Sequence, residues 1–170
     1  MRLSLITLTL FAASAANAQN PVSADIKMIW QIASGNIVKA AEKMPESSYS
    51  FRPSDDVRSF GQLVGHTADA AYMFCAAAKG EQRAPANIEK EKTKKDDLVA
   101  AAKGAVEYCS SFINELTDAK GSEIVKFFGG DRTRLGVLAF NNAHTMEHYG
   151  NMVTYMRIRG IVPPSSEPRK

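Results

Sequence analysis

The chain has 170 residues, 45% of them hydrophobic, with 21 basic and 18 acidic residues and a formal net charge of +3. That length suits a single domain around one core. The basic residues are dispersed except from Lys90 to Lys95, where Glu91 interrupts them, so the chain has no basic face of the kind nucleic acid requires.

Met1-Arg2 precedes an apolar stretch from Leu3 to Ala13, and Ala16-Asn17-Ala18 has the small-x-small pattern of a signal-peptidase site. The pattern predicts an export leader over residues 1–18, cleaved after Ala18, and a periplasmic mature domain over 19–170. An uncleaved N-terminal anchor is the alternative, since a single Arg is a modest basic flank. The apolar stretch is shorter than the about 20 residues of a permanent membrane helix, and no later segment is longer or free of charge, so no membrane span is expected.

From Val22 to about Met44, apolar residues recur at Ile26, Trp30, Ile37, Ala40 and Ala41, the spacing of an amphipathic helix that Pro45 ends. Residues 45–56 are rich in Pro, Ser and Asp and read as a loop packed at one end of the domain. Ser59-Phe60-Gly61-Gln62 has the order of a capping box, which starts a second helix running to about Lys79 and closed by Gly80. Pro85 and the mixed-charge run Glu89 to Asp97 read as a solvated loop. Leu98, Ala101, Ala102, Ala105, Cys109, Phe112, Ile113 and Leu116 mark a third helix. A fourth is expected from about Thr133 to Arg159, with Arg157 and Arg159 favouring the helix dipole, Gly160 suited to the left-handed C′ position, and Pro163-Pro164 preventing continuation.

Strand signals are absent from this reading, and the four helices imply an all-α four-helix bundle. Its topology is open: the helices could run up-down-up-down, or the long second connection could serve as a crossover.

The fourth helix carries His144-Thr145-Met146-Glu147-His148, which sets two imidazoles one turn apart on nearly the same face. The third and last histidine of the chain, His66, lies on helix two in a stripe with Leu63, Ala70 and Met73 that is expected to face inward. Inward side chains from facing bundle helices are a common source of metal sites, so His66, His144 and His148 are read as one three-nitrogen site with open positions. Imidazole ligands suit zinc or nickel. A hydrogen-bonded core role is the ordinary alternative for one inward histidine, but three such rings must each satisfy two nitrogens. The string His144-x-x-Glu147-His148 also matches an inverted zincin pattern. No histidine follows His148, however, and Glu167 is the only carboxylate beyond it, in a Pro- and Ser-rich tail, so Glu147 is read as a surface or outer carboxylate.

Phe51-Arg52-Pro53, the stretch Ser59 to His66, and His144 to Arg157 together resemble the DinB/YfiT-like metalloenzyme superfamily across nearly the whole mature chain. The resemblance implies a four-helix bundle with a long crossover and a metal held by one histidine of helix two and an H-x-x-x-H pair of helix four, which map onto His66, His144 and His148. It also implies a homodimer, and a metal-dependent S-transferase using a small thiol such as bacillithiol, mycothiol or glutathione. An export leader departs from the typical member, because such thiols are mainly cytosolic.

If the chain is an enzyme, an ion held by three neutral nitrogens would favour transfer or hydrolysis. Catalytic residues beyond the ligands are not assigned, and a non-catalytic periplasmic metal-binding or stress-associated module needs the same three ligands. Cys75 and Cys109, the two cysteines, lie on helices two and three; an even count in an exported chain favours a disulfide, with two buried thiols as the alternative.

Overall fold

The computed structural model describes residues 20–84 and 86–168; the expected leader and Pro85 lie outside these residues. Four long helices make the bundle: α1 (Pro21–Lys43), α2 (Phe60–Lys79), α4 (Lys95–Ile113) and α6 (Arg134–Ile158). The short helices α3 (Ile88–Glu91) and α5 (Asp118–Gly121) lie in the connections, and so does a hairpin of β1 (Ile124–Phe127) and β2 (Gly130–Thr133).

The expected caps form. Ser59 Oγ accepts from the Gln62 amide at 3.2 Å while Gln62 Oε1 accepts from the Ser59 amide at 2.9 Å, so the two side chains satisfy two free donors at the start of α2. Gly80 closes that helix at φ 78°, and Gly160 follows α6 at φ 73°, both in the left-handed region that glycine enters without a Cβ clash.

Interhelical pairs fix the directions. Trp30 of α1 donates to Ser110 of α4 and Glu42 pairs with Lys103, so these two helices are antiparallel. Cys75 joins Cys109 and Gly61 abuts Leu98, which makes α2 and α4 parallel. Arg134 reaches the Ala78 carbonyl while His66 meets His144, which makes α6 antiparallel to α2. The order is therefore up-down-down-up. Parallel neighbours cannot be joined by a tight turn, so residues 80–94 return along the bundle as the crossover. The core packs Trp30, Phe60, Leu98, Ile113, Leu138, Met152 and Met156, all fully buried. The Cys75–Cys109 disulfide joins α2 to α4 from within this core, with Cα atoms 5.4 Å apart.

Three expectations are corrected. Residues 124–133 form a two-stranded antiparallel hairpin, in register from Ile124 with Thr133 to Phe127 with Gly130. Its two-residue turn, Phe128 at φ 49° and Gly129 at φ 76°, has the paired positive φ angles that match the twist of a hairpin. Strands of four residues with Asp131 and Arg132 on one of them leave no alternating apolar pattern to detect. Met73 is 49% exposed and so does not share the inward face of α2, which continues instead through Phe74, Cys75 and Ala78. The loop expected at 89–97 is shorter than that range, because Ile88–Glu91 is helical and Ile88 is buried.

Candidate metal centre

α2 and α6 face one another over the stretch that carries the histidines. His66 Nε2 lies 3.3 Å from His144 Nε2, and His148 Nε2 lies 3.1 Å from the same atom. One ligand atom from each ring falls within 4.8 Å of the others. The i, i+4 spacing on α6 brings His144 and His148 together, and the antiparallel packing of α2 supplies His66 opposite them. Glu147, between the two, is exposed at the rim of a neighbouring cleft, as expected of a surface carboxylate.

Burial lowers the pKa of His144 to about 4, with further lowering from the imidazoles of His148 and His66. Burial likewise lowers His148 to about 4, followed by the effects of His66 and Arg58. Both rings are therefore neutral near pH 7 and carry lone pairs.

The tautomer of His66 is set by a residue the sequence reading did not single out. Burial would raise the Glu89 carboxyl, but Arg58 and then His66 outweigh it and hold the pKa below its ordinary value. An ionised carboxylate can only accept, so in the 3.0 Å contact of Glu89 Oε2 with His66 Nδ1 the ring nitrogen carries the proton. With the ring's proton on Nδ1, Nε2 is the nitrogen left to offer a lone pair toward His144. Arg58 Nε donates to the other Glu89 oxygen at 2.8 Å. Asp69 accepts from the Ile88 and Glu89 amides at 2.9 Å each, which fixes α3 against α2. Gly65 allows that approach: a Cβ there would stand 2.7 Å from Glu89 Cα.

Three Nε2 atoms turned toward one another can share at most a proton or two, and their remaining lone pairs repel. A cation between them removes that conflict. Tetrahedral zinc with bonds of about 2.05 Å would separate neighbouring nitrogens by about 3.3 Å, so the two observed separations fit one ion. The carboxylate on His66 Nδ1 is the usual outer partner of a metal-ligating histidine. The buried Nδ1 of His148 has no such partner among the described residues.

Two cavities of different character border the triad. One, of about 430 Å³, touches His66 and His144 and is lined largely by apolar side chains including Met73, Phe74, Phe128 and Phe140. The other, of about 720 Å³, touches His148 and Glu89 and is lined by Arg52, Arg58, Gln62, Asn151 and Tyr155 among others. Tyr155 donates to the Arg58 carbonyl at 2.9 Å, which holds that wall in place.

Similar proteins share this arrangement of helices. YjoA of Bacillus subtilis is 27% identical over 123 residues, 71% of this chain and 79% of the relative. Its crystal structure superposes with a TM-score of 0.68 at 23% identity, covering 86% of this chain and 99% of that one. A DinB-like protein from Bacillus cereus gives a TM-score of 0.69 at 19% identity, covering 82% and 93%. A single-site variant of the mycothiol-dependent maleylpyruvate isomerase gives 0.63 at 12% identity, covering 76% of this chain and 60% of that one. Structural likeness at these identities establishes the fold, and residues 30–152 of the sequence itself match the DinB superfamily. The predicted all-α bundle is thus shared with these structures, and this chain belongs to the DinB superfamily.

Proposed function

We propose that His66, His144 and His148 bind one divalent ion, zinc or nickel, and that the chain is an exported metal-dependent enzyme acting on a small thiol or on water, by S-transfer or hydrolysis. The observation that carries this reading is the convergence of three Nε2 atoms, two of the separations being 3.1 and 3.3 Å. The bound ion would supply Lewis acidity, making a thiol or water lose its proton near neutral pH. The residues do the rest. Two rings kept neutral by burial offer lone pairs at pH 7, and Glu89 holds His66 in the tautomer that points Nε2 at the centre. The structural likeness to a mycothiol-dependent enzyme supports a thiol as one reactant. The two cavities beside the triad favour turnover over a non-catalytic metal-binding role, because a storage site needs no room for a second molecule.

Export rests on the leader pattern at 1–18 and is supported by the Cys75–Cys109 disulfide, a bond that persists in oxidising compartments. Mass spectrometry of the periplasmic protein should find an N-terminus at Gln19; an intact Met1 in the cytosol would refute it. A homodimer is the associated assembly, and light scattering at micromolar concentration decides it. For the activity, the metal-loaded protein is assayed for consumption of small thiols with electrophilic acceptors. Turnover that vanishes with chelation supports the reading, and turnover unchanged by chelation overturns it.

A further inference from the structure

The apolar cavity beside His144 has a wall that local chain preferences do not explain. Phe128 sits at the hairpin turn with φ 49°, a left-handed position where Asn, Asp or Gly is usual and a bulky residue is disfavoured, and its side chain is 70% exposed. Phe140 and Met73 beside it are also exposed, at 45% and 49%. These side chains are gathered around one opening. Phe128 packs at 6.1 Å from Phe74 and 6.0 Å from Phe140, and Phe74 and Phe140 lie 5.3 and 6.5 Å from the His144 ring. The enclosed space, about 430 Å³, is of the size that takes a small molecule.

Charge narrows the class. Asp69 lines the cavity, but both its oxygens are engaged by the Ile88 and Glu89 amides. The other charged group of the lining is Arg83, whose guanidinium lies over the Tyr72 ring at 4.2 Å and the Tyr108 ring at 4.9 Å. The rim therefore offers a cation, held at a fixed place by two aromatic faces. We propose that this cavity binds small molecules with an aromatic or branched-alkyl body and one anionic group, the body lying on Phe74, Phe128 and Phe140 with its inner end at His144 and the anion at Arg83. This names the substrate class of the centre proposed above and rests on that reading for its role. Occupancy itself requires no ion, so the test separates the two.

The probe is 1-anilinonaphthalene-8-sulfonate, an aromatic anion, titrated into the chelator-treated full chain and followed by fluorescence and by NMR. The expected result is saturable binding of one probe per chain, with intermolecular NOEs from its rings to Phe140 and His144. Phe128→Ser weakens binding by about tenfold, the effect of losing one aromatic contact, and Met73→Trp, which occupies the space from an exposed position, weakens it by about tenfold or more. Arg83→Gln weakens the sulfonate but not the uncharged N-phenyl-1-naphthylamine. All three positions are exposed, so the variants are expected to fold, and circular dichroism checks that they do. Non-saturable binding, NOEs placed elsewhere, or affinities unmoved by Met73→Trp and Phe128→Ser would overturn the proposal. So would a dimer, seen by light scattering, that excludes the probe by covering the opening with a second copy. Metal content, measured separately, reports on the three-histidine site alone.

Discussion

His66 Nδ1 donates to Glu89 Oε2 across 3.0 Å, and this bond ties the crossover to the bundle at the centre. Removing it frees the His66 ring to rotate and to change tautomer. Glu89→Ala is expected to weaken metal binding by about 10- to 100-fold, the usual cost of losing an outer partner of a ligating histidine. Glu89→Gln, which keeps an acceptor oxygen, should lose less. Competition with a chromophoric chelator measures both, and equal affinities for wild type and Glu89→Ala would show that the bond does not orient His66.

Gly65 makes that bond possible by letting α3 approach α2. Gly65→Ala would place its Cβ 2.7 Å from Glu89 Cα and 2.9 Å from Glu89 N, both backbone atoms with no rotamer to give way. The crossover must shift, at a cost of about 1 to 3 kcal/mol. Urea unfolding should show the loss, and metal affinity should fall with it. Unchanged stability would mean that α3 is free to slide along α2.

How much of this was legible in the sequence depended on the range of each cause. Ser59 with Gln62, Gly80 and Gly160 act within one turn of chain, and all three mark the helix ends they were expected to mark. The histidine triad was legible because two members share a helix turn and the third is the chain's one other imidazole. Glu89 was not, since it lies in a charged run and acquires its meaning only when the crossover passes His66, 23 residues earlier in the chain. The crossover itself was one of two open topologies, because helix periodicity carries no direction. Leu116 shows the same limit in small: it falls beyond α4, which ends at Ile113, yet is buried from the following turn.

Acid should destabilise the metal-free protein. An unfolded histidine takes up its proton near the ordinary 6.5, whereas His144 and His148 in the fold do so only at about 4. Between those values the unfolded state binds more protons, so stability falls as pH drops from 6.5 toward 4. The slope is at most about 1.4 kcal/mol per pH unit for each proton, and smaller here because the two rings titrate together and His144 is partly exposed. Denaturant midpoints of chelator-treated protein at pH 7 and pH 5 check this. In the double variant His144→Gln/His148→Gln the difference between the two pH values should shrink, and an unchanged difference would place the acid sensitivity elsewhere.

The Cys75–Cys109 bond closes a separation of 34 residues that spans the whole crossover. By loop entropy it stabilises the fold by about 3 to 4 kcal/mol. Labelling of unfolded, unreduced protein should find no free thiol, and two after reduction. The double variant Cys75→Ala/Cys109→Ala should unfold at lower urea by a matching amount, while two reactive thiols before reduction would mean that the buried pair is unoxidised.

The central measurement is the metal content of the purified protein, by emission spectroscopy, against that of His144→Ala/His148→Ala. The expected result is about one zinc or nickel ion per wild-type chain and essentially none in the variant, with both proteins folded by circular dichroism. Full stoichiometry in the variant, or a wild-type chain that takes up no divalent ion when one is supplied, would contradict a metal centre built on His66, His144 and His148.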